Sequence, residues 1–269
     1  MAHAVRPPAV AGAFYPGDAR ILAADLRQML ADVPPAPGRQ PKAVIAPHAG
    51  YIYSGPTAAA VYARLAPWKD VVTRVILLGP THRVPVRGLA APAADAFATP
   101  LGTVAIDRAA LASLADLPQV VVSDAAHAPE HSLEVHLPFL QAVLGDFTLV
   151  PLAVGHAPAT AVAEVLERLW GGPETLVVIS SDLSHFLPYA AAREVDDATC
   201  RRILHLDTDI APDEACGAYP INGLLLAARR HGLRPLLVDH CNSGDTAGDK
   251  SRVVGYGAFA FYEPEAGHG

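Results

Sequence analysis

Cysteine is scarce. Only Cys200, Cys216 and Cys241 occur in 269 residues, too few and too scattered for a disulfide framework. No Cys-x-x-Cys pair is present, which argues against a closed structural zinc site. Basic clusters are missing too, and the formal charge is -7, so the sequence carries no nucleic-acid footprint. No apolar run approaches the ~20 residues that span a bilayer. The start, Met-Ala-His-Ala-Val-Arg-Pro-Pro, lacks the apolar segment of a signal peptide. No Gly-x-Ser-x-Gly elbow supports a nucleophilic serine. These absences together lead us to expect a soluble cytoplasmic protein with no membrane or nucleic-acid partner.

What is present is apolar material and histidine. Apolar residues make up 51% of the chain, enough for a sizeable core, and there are twelve histidines. The run Ala43-Val-Ile-Ala-Pro-His48-Ala-Gly-Tyr-Ile-Tyr-Ser-Gly55 organises the rest. It reads as a buried strand that stops at Pro47 and delivers His48 into a loop. Two further runs repeat the arrangement. Arg74–Gly79 is followed by Pro80-Thr81-His82, and Leu176–Ser181 by Asp182 and His185. Open α/β sheets place their chemistry beyond the carboxyl ends of such strands.

Along the chain, Asp18 is expected to cap a helix over 19–32, and the stretch 34–38 to form a short linker. A helix is expected over 56–65, with Ser54 or Gly55 as cap and Pro56 at an early position. That crossover would make the second strand parallel to the first. Loops with a short strand follow over 84–101, then a strand over 103–106 and a helix over 108–115 capped by Asp107. A strand is expected over 119–123. The run 131–144 fits a helix that Pro138 either kinks or delays. A strand over 148–154, a helix over 158–170 and the strand 176–181 come next. Helices over 190–206 and 220–231, a short helical piece over 213–219, and strands over 235–239 and 252–262 complete the series. The βα alternation continues without a compositional break, so the expectation is one α/β domain over 1–269 with a mixed, mostly parallel sheet flanked by helices.

Several of these residues carry chemistry. His48 and His82 stand in the same relation to their strands, and two imidazoles beyond neighbouring parallel strands can converge on one ion such as Zn, Fe, Cu or Ni. In Glu130-His131-Ser-Leu-Glu134-Val-His136 the histidines are five apart, which is not the zincin spacing. His131 is read as a general acid/base or substrate contact. Asp182 and His185 fit a carboxylate–imidazole pair that orients a proton donor; a helix cap at Ser181 or Asp182 is the plainer alternative. Cys216 precedes a helix and Cys241 follows a strand. The residues alone do not choose between them, and inert buried cysteine is the usual case.

Taken together, Ala46-Pro-His48-Ala-Gly-Tyr51, Leu78-Gly-Pro-Thr-His82-Arg-Val-Pro85, Glu130-His131-Ser-Leu-Glu-Val-His-Leu-Pro138 and Ser180-Ser-Asp182-Leu-Ser-His185 resemble the Memo family. Its bacterial and archaeal members are also called AmmeMemoRadiSam system protein B. The resemblance runs from the Ala11–Pro16 lead-in to the closing strand. It implies an α/β fold like that of class III extradiol dioxygenases, and a site of two histidines and a cysteine binding one Fe(II) or Cu ion per chain. His48 and His82 match the histidines, and Cys216, in its Cys-Gly-x-x-Pro context, matches the cysteine. Asp182, His185 and His131 match the surrounding pocket as catalytic residues, and Cys241 becomes a bystander. A thiolate in place of the carboxylate of a facial triad favours softer ions, so ring cleavage does not follow from fold alone.

The expected function is a metal-dependent redox or oxygenase-like enzyme. The resemblance also implies two alternatives: a binding module for a small-molecule or peptide ligand, including phosphopeptides, and an accessory subunit to radical-SAM and AMMECR-type partner proteins. A metal-independent serine hydrolase is the weakest reading.

Overall fold

Four short apolar runs, buried almost throughout, form the centre of the molecule. In the computed structural model, which describes residues 4–35 and 38–264, they lie side by side in the order Ala43–Ala46, Thr175–Ser180, Arg74–Pro80, Thr148–Val154, all parallel. Strands buried on both faces read as continuous Val/Ile/Leu runs, as these do. Residues 36 and 37 of the expected linker lie outside the described residues, as do residues 1–3 of the N-terminal stretch.

Antiparallel strands extend this core. Val253–Tyr262 pairs with Ala43–Ala46 on one side and with Arg234–Asn242 and His185–Leu187 on the other. At the opposite edge Leu89–Ala91 pairs antiparallel with Thr148–Val154 and parallel with Val120–Val122. Val5–Arg6, Ala96–Thr99 and Gly102–Ala105 form a separate small sheet. The result is the expected α/β architecture, a mixed sheet flanked by helices. Helix Ala218–His231 packs on Arg74–Pro80, on Thr175–Ser180 and on helix Ala159–Leu169. Helix Tyr51–Tyr62 packs on the two C-terminal strands and on helix Ala19–Ala31.

Two expectations need correction. The first two parallel strands are not neighbours: Thr175–Ser180 lies between them. Pairing order is a tertiary property that neither run encodes locally. The helix expected at Pro56 begins at Tyr51, with Gly50 as its N-cap and Pro56 inside it. The Tyr51 N–H donates to the Phe14 carbonyl at 2.8 Å and its buried hydroxyl donates to the Val135 carbonyl at 2.6 Å. Those distant partners fix the start. Pro56 has no N–H for the carbonyl one turn back, which belongs to Ile52, a residue open to solvent.

The delay at Pro138 is real. A short 3-10 turn, Glu134–His136, leads into helix Leu137–Val143. His131 therefore precedes the helical part and is free to sit at the sheet edge. Asp18 and Asp107 cap their helices as expected. The helical piece expected over 213–219 is not helical over 213–217, and its last two residues open helix Ala218–His231, which ends at left-handed Gly232, φ 66°.

Candidate metal centre

Register brings the strand ends level. Ala46 pairs with Ser180, and Ile179 with Leu78, so the residues just beyond each strand emerge at one carboxyl edge. The inserted strand carries Ser180 and Asp182 between His48 and His82. Gly79 permits this crowding: a Cβ there would lie 2.9 Å from Leu133 Cδ2 and 3.0 Å from Ser180 Cβ.

His48, His82 and His131 each offer a nitrogen, and these atoms all lie within 4.8 Å of one another. The rings of His82 and His131 are stacked with centroids 4.7 Å apart, and His48 stands edge-on to both at 5.1 and 5.4 Å. Hydrogen bonds decide which nitrogens are free. Ser180 Oγ donates its proton to the Ser132 carbonyl at 2.6 Å, so at 2.7 Å from His48 Nδ1 it must accept. The His48 proton then sits on Nδ1 and Nε2 carries a lone pair. Glu130 fixes His82 in the same sense, its Oε1 lying 2.9 Å from His82 Nδ1. Oε1 also lies 3.3 Å from His131 Nδ1. Carboxylate–imidazole contacts of this kind orient metal-ligating histidines.

Glu130 is the functional residue that motif reading missed, although it stands beside His131 in the sequence. Burial opposes its charge. Hydrogen bonds from the His82 ring and backbone N–H, and from the Ser132 N–H, outweigh burial and lower its pKa to about 2. It stays ionised, and therefore accepts. Burial lowers His131 to about 4, partly countered by Glu130. His48 is also held well below its usual value, by burial first and then by the neighbouring imidazoles. Neutral imidazole is the form in which histidine binds metal.

Cys216 lies outside the set of three and meets one member of it: its Sγ is 3.3 Å from His48 Nε2. The thiol also accepts the Asp182 backbone N–H at 3.3 Å. Its loop presses on the strand end at Gly217, where a Cβ would fall 2.5 Å from the Ser180 carbonyl oxygen. Burial, then the charge of Asp182, pushes the thiol pKa far up, so without a cation the sulfur is protonated and donates to His48.

Asp182 is buried, and burial raises its pKa to about 7. Its Oδ1 accepts the His48 backbone N–H at 2.8 Å. His185 Nδ1 donates to the Leu183 carbonyl at 2.8 Å, which leaves its Nε2 unprotonated. Asp182 and His185 thus line the same cavity, but each bonds another partner and the expected carboxylate–imidazole pair between them does not form. Ser180 and Ser181 donate their hydroxyls to backbone carbonyls, which removes both as nucleophiles. Glu134 pairs with buried Arg6 at 2.8 Å, and His136 bonds Tyr62 deep in the core. Cys241 contacts Thr57 at 3.1 Å, away from the histidines.

The site opens into a cavity of about 640 Å³ that is also lined by Phe14, Tyr53, Arg83, Phe186, Arg252 and Tyr256. Of the histidines on its inner wall, His48 is buried, His131 partly buried and His82 exposed. Around them stand aromatic rings, two arginines and the acid Asp249. That combination suits a polar reacting group held at a metal, with an organic remainder outside.

Known proteins agree with the motifs. The family described as Memo-like protein matches residues 6–260. A MEMO1 family protein of Ignicoccus hospitalis is 37% identical over 287 residues, covering 97% of this chain and 99% of its own. One from Aquifex aeolicus is 37% identical over 264 residues, covering 94% and 97%. A crystal structure of an uncharacterized Escherichia coli K12 protein, JW3007, superposes with TM-score 0.50 at 16% identity, covering 81% of this chain and 99% of that one; it shares the fold. Neither span nor identity leaves room for another assignment: the chain belongs to the Memo family.

Proposed function

We propose that this protein is a metal-dependent oxidoreductase of the oxygenase-like type, using one iron or copper ion. His48 and His82 would hold the ion and Cys216, as a thiolate, would complete the set; His131 would stand beside it and handle protons. The observation that carries the reading is the fixed tautomer of His48 and His82, whose Nδ1 atoms are engaged by Ser180 and Glu130. One pair of these donors also fits an ion in spacing. Metal–nitrogen and metal–sulfur bonds of about 2.0 and 2.3 Å leave adjacent donors roughly 3.1–3.6 Å apart, and His48 Nε2 and Cys216 Sγ are 3.3 Å apart.

A bound ion of this kind supplies a Lewis acid and a one-electron couple. The chain supplies the rest. Asp182, poised near neutrality, holds or releases a proton beside His48. His131 and His185 present neutral imidazoles that accept one. Phe14, Tyr53 and Phe186 line the approach to them.

Metal analysis of protein purified without chelator tests the proposal. Near-stoichiometric iron or copper is expected in the parent chain, with loss in His48→Ala and His82→Ala, weakening with a changed absorption spectrum in Cys216→Ala, and retention in His131→Ala. Full occupancy in both His48→Ala and Cys216→Ala would overturn it. Loss in His131→Ala with retention in Cys216→Ala would make the third imidazole the donor instead.

Arg83 and Arg252 at the mouth favour a second reading, a binding module for an anionic peptide or small molecule. Ligand binding that survives metal removal, with no product over long incubation, would select it.

A further inference from the structure

A second cavity, about 620 Å³, lies across Phe14 from the histidines. Its walls include Pro16, Met29, Tyr51, Ile52 and Pro56, with Asp25 and Gln28 as its polar groups. Phe14 lines both cavities. Its ring centroid is 4.7 Å from that of His131, and its carbonyl holds the first N–H of helix Tyr51–Tyr62. The two spaces are therefore separated by one side chain and the helix start to which it is tied.

The ridge between them is apolar and exposed. Ile52 is 70% exposed and Tyr53 38%, and Phe186, on the rim of the histidine cavity, is 60% exposed. Single exposed apolar side chains need no explanation, but a set bordering two adjoining cavities marks a ligand surface. The histidine cavity has polar work to do at its base. The second cavity has nothing on its walls that can react.

We propose that the two cavities form one bipartite site for an amphipathic small molecule: a polar head sits at the histidines, and a hydrocarbon tail crosses Phe14 into the second cavity. The head half rests on the metal reading above, whereas the tail half does not. Burial of a methylene is worth about fourfold in affinity, so a tail that enters the second cavity tightens binding stepwise until the cavity is filled.

The test uses 4-alkylcatechols with methyl, butyl and hexyl chains, titrated without oxygen into the full-length protein. Calorimetry on the metal-free chain reads the tail, and the catecholate-to-metal charge-transfer band on ferric-loaded protein reads the head. The hexyl compound is expected to bind at least tenfold more tightly than the methyl compound. Ile52→Glu and Met29→Glu should each pull that ratio towards one; Ile52 is on the surface, so its replacement leaves the fold intact. An affinity that is flat along the series, absent altogether, or that rises equally in both variants would overturn the bipartite site. A chain-length gain without any charge-transfer band would sink the metal reading and leave the tail cavity standing. A band with no chain-length gain would do the reverse.

Discussion

A single carboxylate oxygen, Glu130 Oε1, lies 2.9 Å from Nδ1 of His82 and 3.3 Å from Nδ1 of His131. Two stacked imidazoles thus share one acceptor, and the direction of both rings depends on it. The same side chain accepts the backbone N–H groups of His82, His131 and Ser132. Every group that faces it is a donor.

Glu130→Gln keeps the shape and inserts an NH₂ among those donors. The amide satisfies some partners and opposes the others. Metal affinity should fall about 10- to 100-fold, as when other outer carboxylates are removed, and the fold should lose roughly 1–3 kcal/mol for the unsatisfied donors. Competition with a chelator gives the first figure and denaturant unfolding the second. Unchanged metal affinity would show that ring orientation does not depend on this carboxylate.

Glu134 is buried opposite Arg6 and also accepts the N–H groups of Ala9 and Val10 and the Tyr15 hydroxyl. Arg6 in turn donates to the carbonyls of His127 and Glu130. Glu134→Ala leaves a buried guanidinium without its counter-charge and releases the lead-in that carries Phe14. A loss of about 3–5 kcal/mol is expected, read as a lower urea midpoint. A change below 1 kcal/mol would mean that the lead-in is held by other contacts.

Gly217→Ala should act by crowding, since φ there is an ordinary −89°. The new methyl meets the Ser180 backbone oxygen at 2.5 Å, and backbone cannot swing aside. The Cys216 loop must lift, at a cost of roughly 1–3 kcal/mol. Copper or iron spectra should then resemble those of Cys216→Ala. A parent-like spectrum together with parent-like stability would refute the close packing at this turn.

Acid should destabilise the metal-free protein earlier than ordinary carboxylate titration would. Burial holds His127 at about 4 and His136 at about 3, and lowers His48 and His185. An unfolded histidine titrates near 6.5. The unfolded state therefore binds more protons below that value, and stability present above pH 6.5 is lost as pH falls towards 4. Each such histidine contributes about 1.4 kcal/mol per pH unit inside its window. Asp182, raised to about 7, works the other way as it takes up a proton in the folded state, and one group does not offset several. Thermal midpoints between pH 7 and 4 should decline steadily; a flat profile would contradict the buried neutral histidines.

Much of this was legible in the sequence because burial is written in composition. The apolar runs ending at Pro47, Pro80 and Ser181 announced strands, and the histidines beyond them were visible as a recurring pattern. Their convergence was not. Nothing in 43–46 or 74–80 says that 175–180 inserts between them. The helix start at Tyr51 depends on a carbonyl 37 positions earlier, so the local Pro56 signal misled. The role of Glu130 was hidden because it depends on His82, reached only through the tertiary fold. Phe14 sat in the Ala11–Pro16 lead-in, and its place between two cavities follows from the Glu134 latch.

The insertion of Thr175–Ser180 between Ala43–Ala46 and Arg74–Pro80 has a consequence during synthesis. The first 170 residues emerge from the ribosome with His48 and His82 already made, but without the strand that separates and aligns them, and without Ser180 to fix one tautomer. Long-range pairings of this kind form late. Until Ser180 has been made, the nascent chain therefore cannot bring the three histidines into the array described above.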